Sequence, residues 1–227
     1  MSRIYGVVLA CILLGVVPSA RAGNITLAAL QDANIADGDL ADMALGDMSY
    51  LLTNWSCDPT TCTPPGTSRG LIQFDLSAYA GMTVGGSTLE LYQDNNQADG
   101  KVFDLFRNSS PWDEGTVTFN TAPAFDLTPV STLAIGSNGA PGVYRAFDVT
   151  TIVQQWLDGT YSNYGLTLIE ENEVPANWIY LVSKEGPIDQ APQLILDAPQ
   201  IPGVPEPATM VLMGGGLVLL ARLRRRR

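Results

Sequence analysis

The amino-acid sequence of 227 residues contains no histidine. Without histidine the chain has neither the Ser-His-Asp nor the Cys-His arrangement of hydrolases, and it has no histidine ligand for a zinc site. It also lacks a glycine-rich phosphate loop followed by lysine. We therefore predict that the protein is not an enzyme. Carboxylates are plentiful, so a glycosidase pair of two carboxylates stays open as a less favoured alternative.

The chain also lacks a clear apolar run of the roughly 20 residues that a full membrane span needs. One shorter run, at residues 4–17, follows a single arginine and precedes Ala20-Arg21-Ala22. This pattern predicts a helical secretory signal peptide at residues 1–22, removed by signal peptidase during export. A lipoprotein signal ending at Cys11 is less favoured, because it leaves too short an apolar run before the cysteine.

A second apolar run, at residues 208–221, lies between Pro205-Glu206-Pro207 and a terminal arginine cluster. The arginines favour the cytoplasmic side, so this short hydrophobic helix predicts a temporary hold in the inner membrane. A permanent single-span anchor is the alternative. The order of these parts closely resembles the PEP-CTERM sorting tail. That resemblance implies an exosortase as processing partner and a final location at the cell surface or outside the cell, in association with exopolysaccharide.

Basic residues are scarce between the two ends. Residues 23–204 contain 5 Lys and Arg against 22 Asp and Glu, a net charge near −17, compared with −11 for the whole chain. Such a surface repels nucleic acid and anionic lipid, so we expect no nucleic-acid partner. It also attracts divalent cations. The other interpretation is an acidic surface that keeps an exported protein soluble.

Cysteine is rare as well, with three in the chain. Cys11 lies in the predicted signal peptide, which leaves Cys57 and Cys62 as an even pair in an exported protein. This pair predicts a disulfide that closes a small loop. A metal site formed by cysteine alone would need more ligands than these two.

Between the ends, short stretches of alternating apolar and polar residues are separated by turn-forming pairs such as Gly85-Gly86 and Asn138-Gly139. This spacing predicts an all-β fold, an antiparallel β-sandwich or jelly roll. One short helix is expected with Val149, Ile152, Val153 and Trp156 on one side, capped by Thr150 or Thr151, stopped at Gly159 and plugging one end of the core. The predicted strands are 70–76, 87–92, 101–107, 116–120, 143–149, 164–169, 178–183 and 193–197.

Several of these segments carry a family resemblance. Residues 112–123 read Trp-Asp-Glu-Gly-Thr-Val-Thr-Phe-Asn-Thr-Ala-Pro, residues 69–76 read Arg-Gly-Leu-Ile-Gln-Phe-Asp-Leu, and residues 147–150 read Phe-Asp-Val-Thr. Taken in their order along the chain, these segments resemble DNRLRE domains, some of which are classed with alginate-type carbohydrate-binding modules. The resemblance implies an extracellular β-sandwich with a binding or structural role, and it fixes no ligand.

Aspartates crowd the stretch from residue 32 to residue 47. Calcium takes six to eight oxygen ligands, and Asp-Gly-Asp turns supply both carboxylates and carbonyls, although the spacing is not that of an EF-hand loop. Calcium is therefore the candidate cofactor, and a solvated acidic turn is the alternative. The candidate ligands are Asp32, Asp37, Asp39 and Asp42.

A sugar site needs exposed aromatic rings beside polar groups. Trp112 and Trp156 are expected in the core, since tryptophan is usually well buried. The candidate platform residues are Trp55, Trp178, Tyr50 and Tyr161, for each of which ordinary partial burial is the alternative. An acidic polysaccharide would require several of the five bases to converge, or a bridging calcium ion.

The sequence thus predicts four segments: a signal peptide at 1–22, a β-sandwich domain at 23–198, a linker at 199–204 and a sorting tail at 205–227. The predicted protein is an exported, non-catalytic surface or extracellular-matrix protein that binds polysaccharide. A purely structural surface protein without a sugar ligand is the first alternative. A carboxylate-based enzyme acting on polysaccharide is the second.

Overall fold

The computed structural model describes residues 23–53, 67–95, 100–135, 140–173 and 179–197. In these ranges the chain forms two antiparallel sheets around an apolar core, with one α-helix. This confirms the predicted all-β sandwich with one short helix. No helix in these ranges is long and apolar enough to cross a membrane. The predicted terminal helices, Pro205-Glu206-Pro207 and the pair Cys57 and Cys62 lie outside the described residues.

Eleven strands and one α-helix make up the described part of the chain. They are β1 Ile25–Ala28, β2 Gln31–Ala36, β3 Tyr50–Thr53, β4 Ser68–Gln73, β5 Gly86–Gln93, β6 Val102–Arg107, β7 Ser131–Ala134, β8 Val143–Asp148, α1 Thr150–Leu157, β9 Leu166–Glu170, β10 Ile179–Val182 and β11 Gln193–Asp197. Sheet A has the order β1-β11-β5-β10-β3, with β8 paired to the opposite edge of β5. Sheet B has the order β2-β4-β9-β6-β7.

Strand alternation builds the core between the sheets. In β5, Leu89 and Leu91 are fully buried whereas Glu90 lies on the outer face, as predicted. Each such buried leucine stabilises the fold by about 1.5–3 kcal/mol relative to an exposed one. Helix α1 adds its apolar side, including the predicted core residue Trp156, to the same cluster.

Helix α1 differs from the prediction at its start. The expected threonine cap is wrong, because Val149 is the N-cap residue and makes no side-chain capping bond. The Oδ1 atom of Asp148 instead accepts hydrogen bonds from the Thr150 backbone N–H at 3.0 Å and from the Thr150 hydroxyl at 2.7 Å. The helix ends as predicted, since Gly159 follows it with φ of 78°, a conformation that favours glycine.

The predicted strand at residues 116–120 is wrong. The backbone N–H of Val117 donates to the carbonyl of Asp113 at 2.8 Å, and that of Asn120 donates to the carbonyl of Ala41 at 3.1 Å. The apolar alternation here has a different cause. Val117 and Phe119 belong to residues 109–125, which we call the cover loop, and they pack on Leu71 at the outer face of sheet B.

Candidate functional site

The outer face of sheet A carries four half-buried tyrosines on four neighbouring strands. We call them the tyrosine row: Tyr50 on β3, Tyr180 on β10, Tyr92 on β5 and Tyr144 on β8. Tyr50 pairs with Val182, and Tyr92 pairs with Tyr144. Leu181 pairs with Gln93, which brings the fully buried Val182 opposite Tyr92. At the usual strand spacing the row extends about 14 Å across the sheet.

The four rings form two contacting pairs. The centroids of Tyr50 and Tyr180 are 5.3 Å apart with ring planes 33° from each other. Those of Tyr92 and Tyr144 are 5.2 Å apart with planes 79° from each other. Two rings so close to perpendicular cannot both lie flat against one surface. The Tyr50–Tyr180 pair is therefore the better suited to present two similarly oriented ring faces.

Hydrogen bonds hold the outer rings of the row in place. The hydroxyl of Tyr50 donates to Oδ2 of Asp94 at 2.9 Å, and this bond raises the pKa of Tyr50 above its usual value. The hydroxyl of Tyr144 donates to the backbone carbonyl of Asp189 at 2.7 Å, and burial raises the pKa of Tyr144. Both phenols are thus neutral donors at physiological pH, with their rings fixed against the sheet.

The surroundings of the row are polar and acidic. Glu90 lies on the same face two residues before Tyr92, and Asp94 lies two residues after it. Arg145, the residue after Tyr144, faces the other side, where its Nε donates to Oε1 of Gln93 at 2.7 Å. An acidic ligand would therefore meet like charge on this face.

Tyr161 lies in a separate groove of about 450 Å³. Tyr161 is 40% exposed, and the guanidinium of Arg107 stacks on its ring with Cζ 4.0 Å from the ring centroid. Arg107 also forms two hydrogen bonds with Asp126, at 2.8 and 3.0 Å. One face of Tyr161 is thus already occupied by a side chain whose charge is paired.

A second cluster lies where β2, the cover loop and the turn after β10 meet. One carboxylate oxygen from each of Asp32, Glu114 and Glu185 lies within 4.8 Å of the others, and we call this group the carboxylate cluster. The Nζ atom of Lys184 lies 2.9 Å from Oε1 of Glu114 and also contacts Glu185. One ammonium thus faces three carboxyl groups.

Asp32 is the buried member of the carboxylate cluster, with no exposed surface. Its Oδ2 accepts a hydrogen bond from the Lys184 backbone N–H at 2.8 Å, whereas its Oδ1 is buried without a hydrogen-bond partner in the described residues. Burial, together with the negative charges of Glu185 and Glu114, raises the pKa of Asp32 to about 7.

The metal-binding and sugar-binding residues predicted from the sequence lie in several different parts of the structure. Of the four predicted metal-binding aspartates, only Asp32 joins the carboxylate cluster. Asp37 and Asp39 lie at the short 3₁₀ turn that follows β2, and Asp42 accepts a hydrogen bond from Nδ2 of Asn120 at 2.8 Å. Sequence reasoning missed Glu114 and Glu185 as ligand candidates. Among the predicted platform residues, Tyr50 lies in the tyrosine row and Tyr161 in the groove.

The other two platform candidates, Trp55 and Trp178, lie outside the described residues and stay predictions. Trp112, expected in the core, packs half-buried on the outer face of sheet B, where its Nε1–H donates to the carbonyl of Tyr164 at 2.8 Å. Half-buried aromatic residues thus lie on both sheets: the tyrosine row on sheet A, and Trp112 with Phe119 of the cover loop on sheet B.

Comparison with known families gives two matches. The PEP-CTERM protein-sorting motif matches residues 203–227, which indicates exosortase-dependent sorting of an exported protein to the cell surface or beyond. A search of curated proteins finds no match to the chain. The model of carbohydrate-binding module family 96 matches residues 23–198, which include both sheets and the helix. This chain belongs to carbohydrate-binding module family 96, and its function includes carbohydrate binding.

Proposed function

We propose that the protein is a non-catalytic, polysaccharide-binding protein of the cell surface or extracellular matrix, and that the polysaccharide binds along the tyrosine row. The observation that carries the location is the set of four half-buried tyrosines on one sheet face. Aromatic rings combine a large apolar surface with a polar edge, as a sugar ring does, and they stack on it when one face is open.

The geometry of the row favours a polymer over a single sugar. Its extent of about 14 Å across four strands exceeds one ring, and its rings lie on a sheet face. The bonds of Tyr50 to Asp94 and of Tyr144 to Asp189 hold two of the four rings before a ligand arrives. A surface that is already ordered loses less side-chain entropy on binding.

Charge favours an uncharged polysaccharide. Glu90 and Asp94 flank Tyr92 on the binding face, and Arg145 is directed to the other side. A carboxylated or sulfated chain would be repelled at short range, and the net charge near −17 between residues 23 and 204 adds to this repulsion.

The carboxylate cluster does not suit glycoside hydrolysis. A hydrolase needs two carboxyl groups on opposite sides of a glycosidic bond. Asp32 has no exposed surface, and the ammonium of Lys184 contacts both Glu114 and Glu185. A sugar ring cannot reach between these three carboxyl groups without displacing Lys184. This supports a protein that binds polysaccharide without cleaving it.

Affinity electrophoresis of the full chain through gels that contain uncharged or acidic polysaccharides tests the proposal. We expect retardation by an uncharged polymer, with affinity reduced about tenfold or more by Tyr92→Ala or Tyr180→Ala, because buried tyrosine contacts commonly carry over 1 kcal/mol. Tyr161→Ala is the matched control and should leave retardation unchanged.

Other outcomes would redirect or overturn the proposal. Loss of binding in Tyr161→Ala alone would place the ligand in the Arg107 groove. Retardation by acidic polymers only would contradict the uncharged ligand. Absence of binding to every polymer would favour a structural surface protein, and new reducing ends after incubation with a bound polymer would show an enzyme.

A further inference from the structure

The carboxylate cluster contains more carboxyl groups than its basic neighbours can pair. Asp32, Glu114 and Glu185 face the single ammonium of Lys184. The other four bases between residues 23 and 204 are engaged elsewhere: Arg69 with Glu173, Lys101 with Glu170, Arg107 with Asp126, and Arg145 with Gln93 and the carbonyl of Ala140. A further positive charge at the cluster would therefore have to come from outside the described chain.

One carboxylate oxygen of Asp32, the buried member of the cluster, also lacks a hydrogen-bond partner in the described residues. Oδ1 of Asp32 is fully buried and accepts no hydrogen bond in the described residues, although Oδ2 of the same group accepts one from Lys184. A buried carboxylate oxygen without a partner costs free energy, and native structures usually satisfy such atoms with a donor, a water or an ion. This observation is independent of the number of acidic residues nearby.

The distances suit a calcium ion. Two oxygens bound to one Ca²⁺ at about 2.3–2.6 Å lie at most about 4.6–5.2 Å apart, and Ca²⁺ accepts irregular geometry, whereas Mg²⁺ demands a near-ideal octahedron of ligands at about 2.0–2.1 Å. The three carboxylate oxygens of the cluster already lie within 4.8 Å of one another. Carboxylates bind Ca²⁺ with one or two oxygens each, and water completes the six to eight ligands.

We propose that Asp32, Glu114 and Glu185 bind a divalent cation, Ca²⁺ in preference to Mg²⁺, in competition with the ammonium of Lys184. The lysine and the cation need the same two carboxylates, those of Glu114 and Glu185, so the Lys184 side chain moves aside when the cation binds. Its backbone N–H keeps the bond to Oδ2 of Asp32, because that bond does not depend on the side chain.

The bound cation would fasten three segments that are distant in sequence. Asp32 belongs to β2 of sheet B, Glu114 to the cover loop, and Glu185 to the turn after β10 of sheet A. An ion held by all three resists separation of the two sheets at this edge. This site is distinct from the tyrosine row, so its test is independent of polysaccharide binding.

Calorimetric titration of the EDTA-treated full chain with CaCl₂ and MgCl₂, together with thermal unfolding, tests the site. We expect one Ca²⁺ site, Mg²⁺ affinity at least about tenfold lower, and a rise in Tm of about 5–10 °C at a Ca²⁺ concentration one hundred times Kd. Asp32→Asn and the more exposed Glu185→Gln should each lower Ca²⁺ affinity about tenfold or more. Lys184→Met should raise it, since the competing charge is removed.

Asp39→Asn is the matched control, because Asp39 is an exposed aspartate of the neighbouring turn. It should leave Ca²⁺ affinity unchanged. Loss of binding in Asp39→Asn with normal binding in Glu185→Gln would place the ion in the turn and overturn the proposal. Absence of both heat and Tm change in the wild type and in Lys184→Met would also overturn it.

Discussion

The outer faces of the two sheets differ in what covers them. On sheet B, Leu71 is fully buried because the cover loop lays Val117 and Phe119 across it. On sheet A, the corresponding face carries the tyrosine row, whose rings remain half-buried and are held by hydrogen bonds from Tyr50 and Tyr144. Strand alternation alone places side chains on both faces. The cover loop buries the outer face of sheet B, whereas the outer face of sheet A stays partly open, and it is there that we propose the polysaccharide binds.

The largest expected effect comes from opening the covered face. Leu71→Ala removes a fully buried side chain between sheet B and the cover loop, and we expect the free energy of unfolding to fall by about 2–5 kcal/mol. Tyr92→Ala on sheet A should cost clearly less, because Tyr92 is already half-exposed. Urea unfolding of both variants measures the difference. Equal losses would contradict the division of roles between the two faces.

A smaller effect is expected from one hydrogen bond of the cover loop. Trp112→Phe removes the bond from Nε1–H to the carbonyl of Tyr164, 2.8 Å long, and should lower the free energy of unfolding by about 1–2 kcal/mol. Polysaccharide binding should not change, since Trp112 lies on sheet B.

Trp156→Phe is the matched control for that bond. It makes the same change of an indole to a phenyl ring in the core between the two sheets. Nε1 of Trp156, however, has no hydrogen-bond partner within the part of the chain that the structure describes. Because no hydrogen bond is lost in Trp156→Phe, any change in its free energy of unfolding reflects packing alone. Weaker polysaccharide binding by Trp112→Phe, without a loss of stability, would show that the cover loop belongs to the ligand site. The outer face of sheet B would then contribute to binding, which would contradict the division of roles between the two faces.

The fold could be predicted wherever an alternating strand buries apolar residues. Alternation predicted β5 and β11, and the 193–197 bounds of β11 agree with the structure. Strand β2 gave no such signal, because the side chains it turns inward include Asp32 and Asn34. The four-residue edge strands β1, β3 and β7 contain too few alternations to stand out.

The sites depend on contacts that no local pattern encodes. Tyr50 was predicted as a platform residue, but its alignment with Tyr92 and Tyr144 depends on the register of four strands. Asp32 was predicted as a ligand, but its backbone contacts Glu114 across 82 residues. The wrong strand at 116–120 has the same origin, since apolar alternation records burial and does not specify hydrogen-bond partners.

The smallest expected effect comes from Asp148→Ala, a change within sheet A that should lower stability without changing polysaccharide binding. Asp148 ends β8, four residues after Tyr144, and its carboxylate serves helix α1 by accepting two hydrogen bonds from Thr150. Asp148→Ala leaves the first helical N–H without this acceptor, so the free energy of unfolding should fall by about 0.5–1 kcal/mol, a modest value because the group is exposed. Polysaccharide binding should stay unchanged.

The pH dependence of the stability lost in Asp148→Ala shows whether the Asp148 carboxylate is its cause. The hydrogen bonds from Thr150 hold the pKa of Asp148 below its ordinary value of 3.8. A carboxylate with a lowered folded pKa contributes stability that is complete above the unfolded pKa and is lost as the pH falls through the folded value. The difference in the free energy of unfolding between wild type and Asp148→Ala should therefore be constant at neutral pH and shrink below about pH 4. Carboxylates common to both proteins cancel in this difference.

Asp158→Ala is the control at the other end of the helix. It removes the two equivalent hydrogen bonds, which Thr160 donates to Asp158, and it should cost less stability because a negative charge is unfavourable at a helix C-terminus. A difference between wild type and Asp148→Ala that persists at low pH would mean that Asp148 acts through packing on sheet A, and residues on the tyrosine face would then serve stability as well as binding.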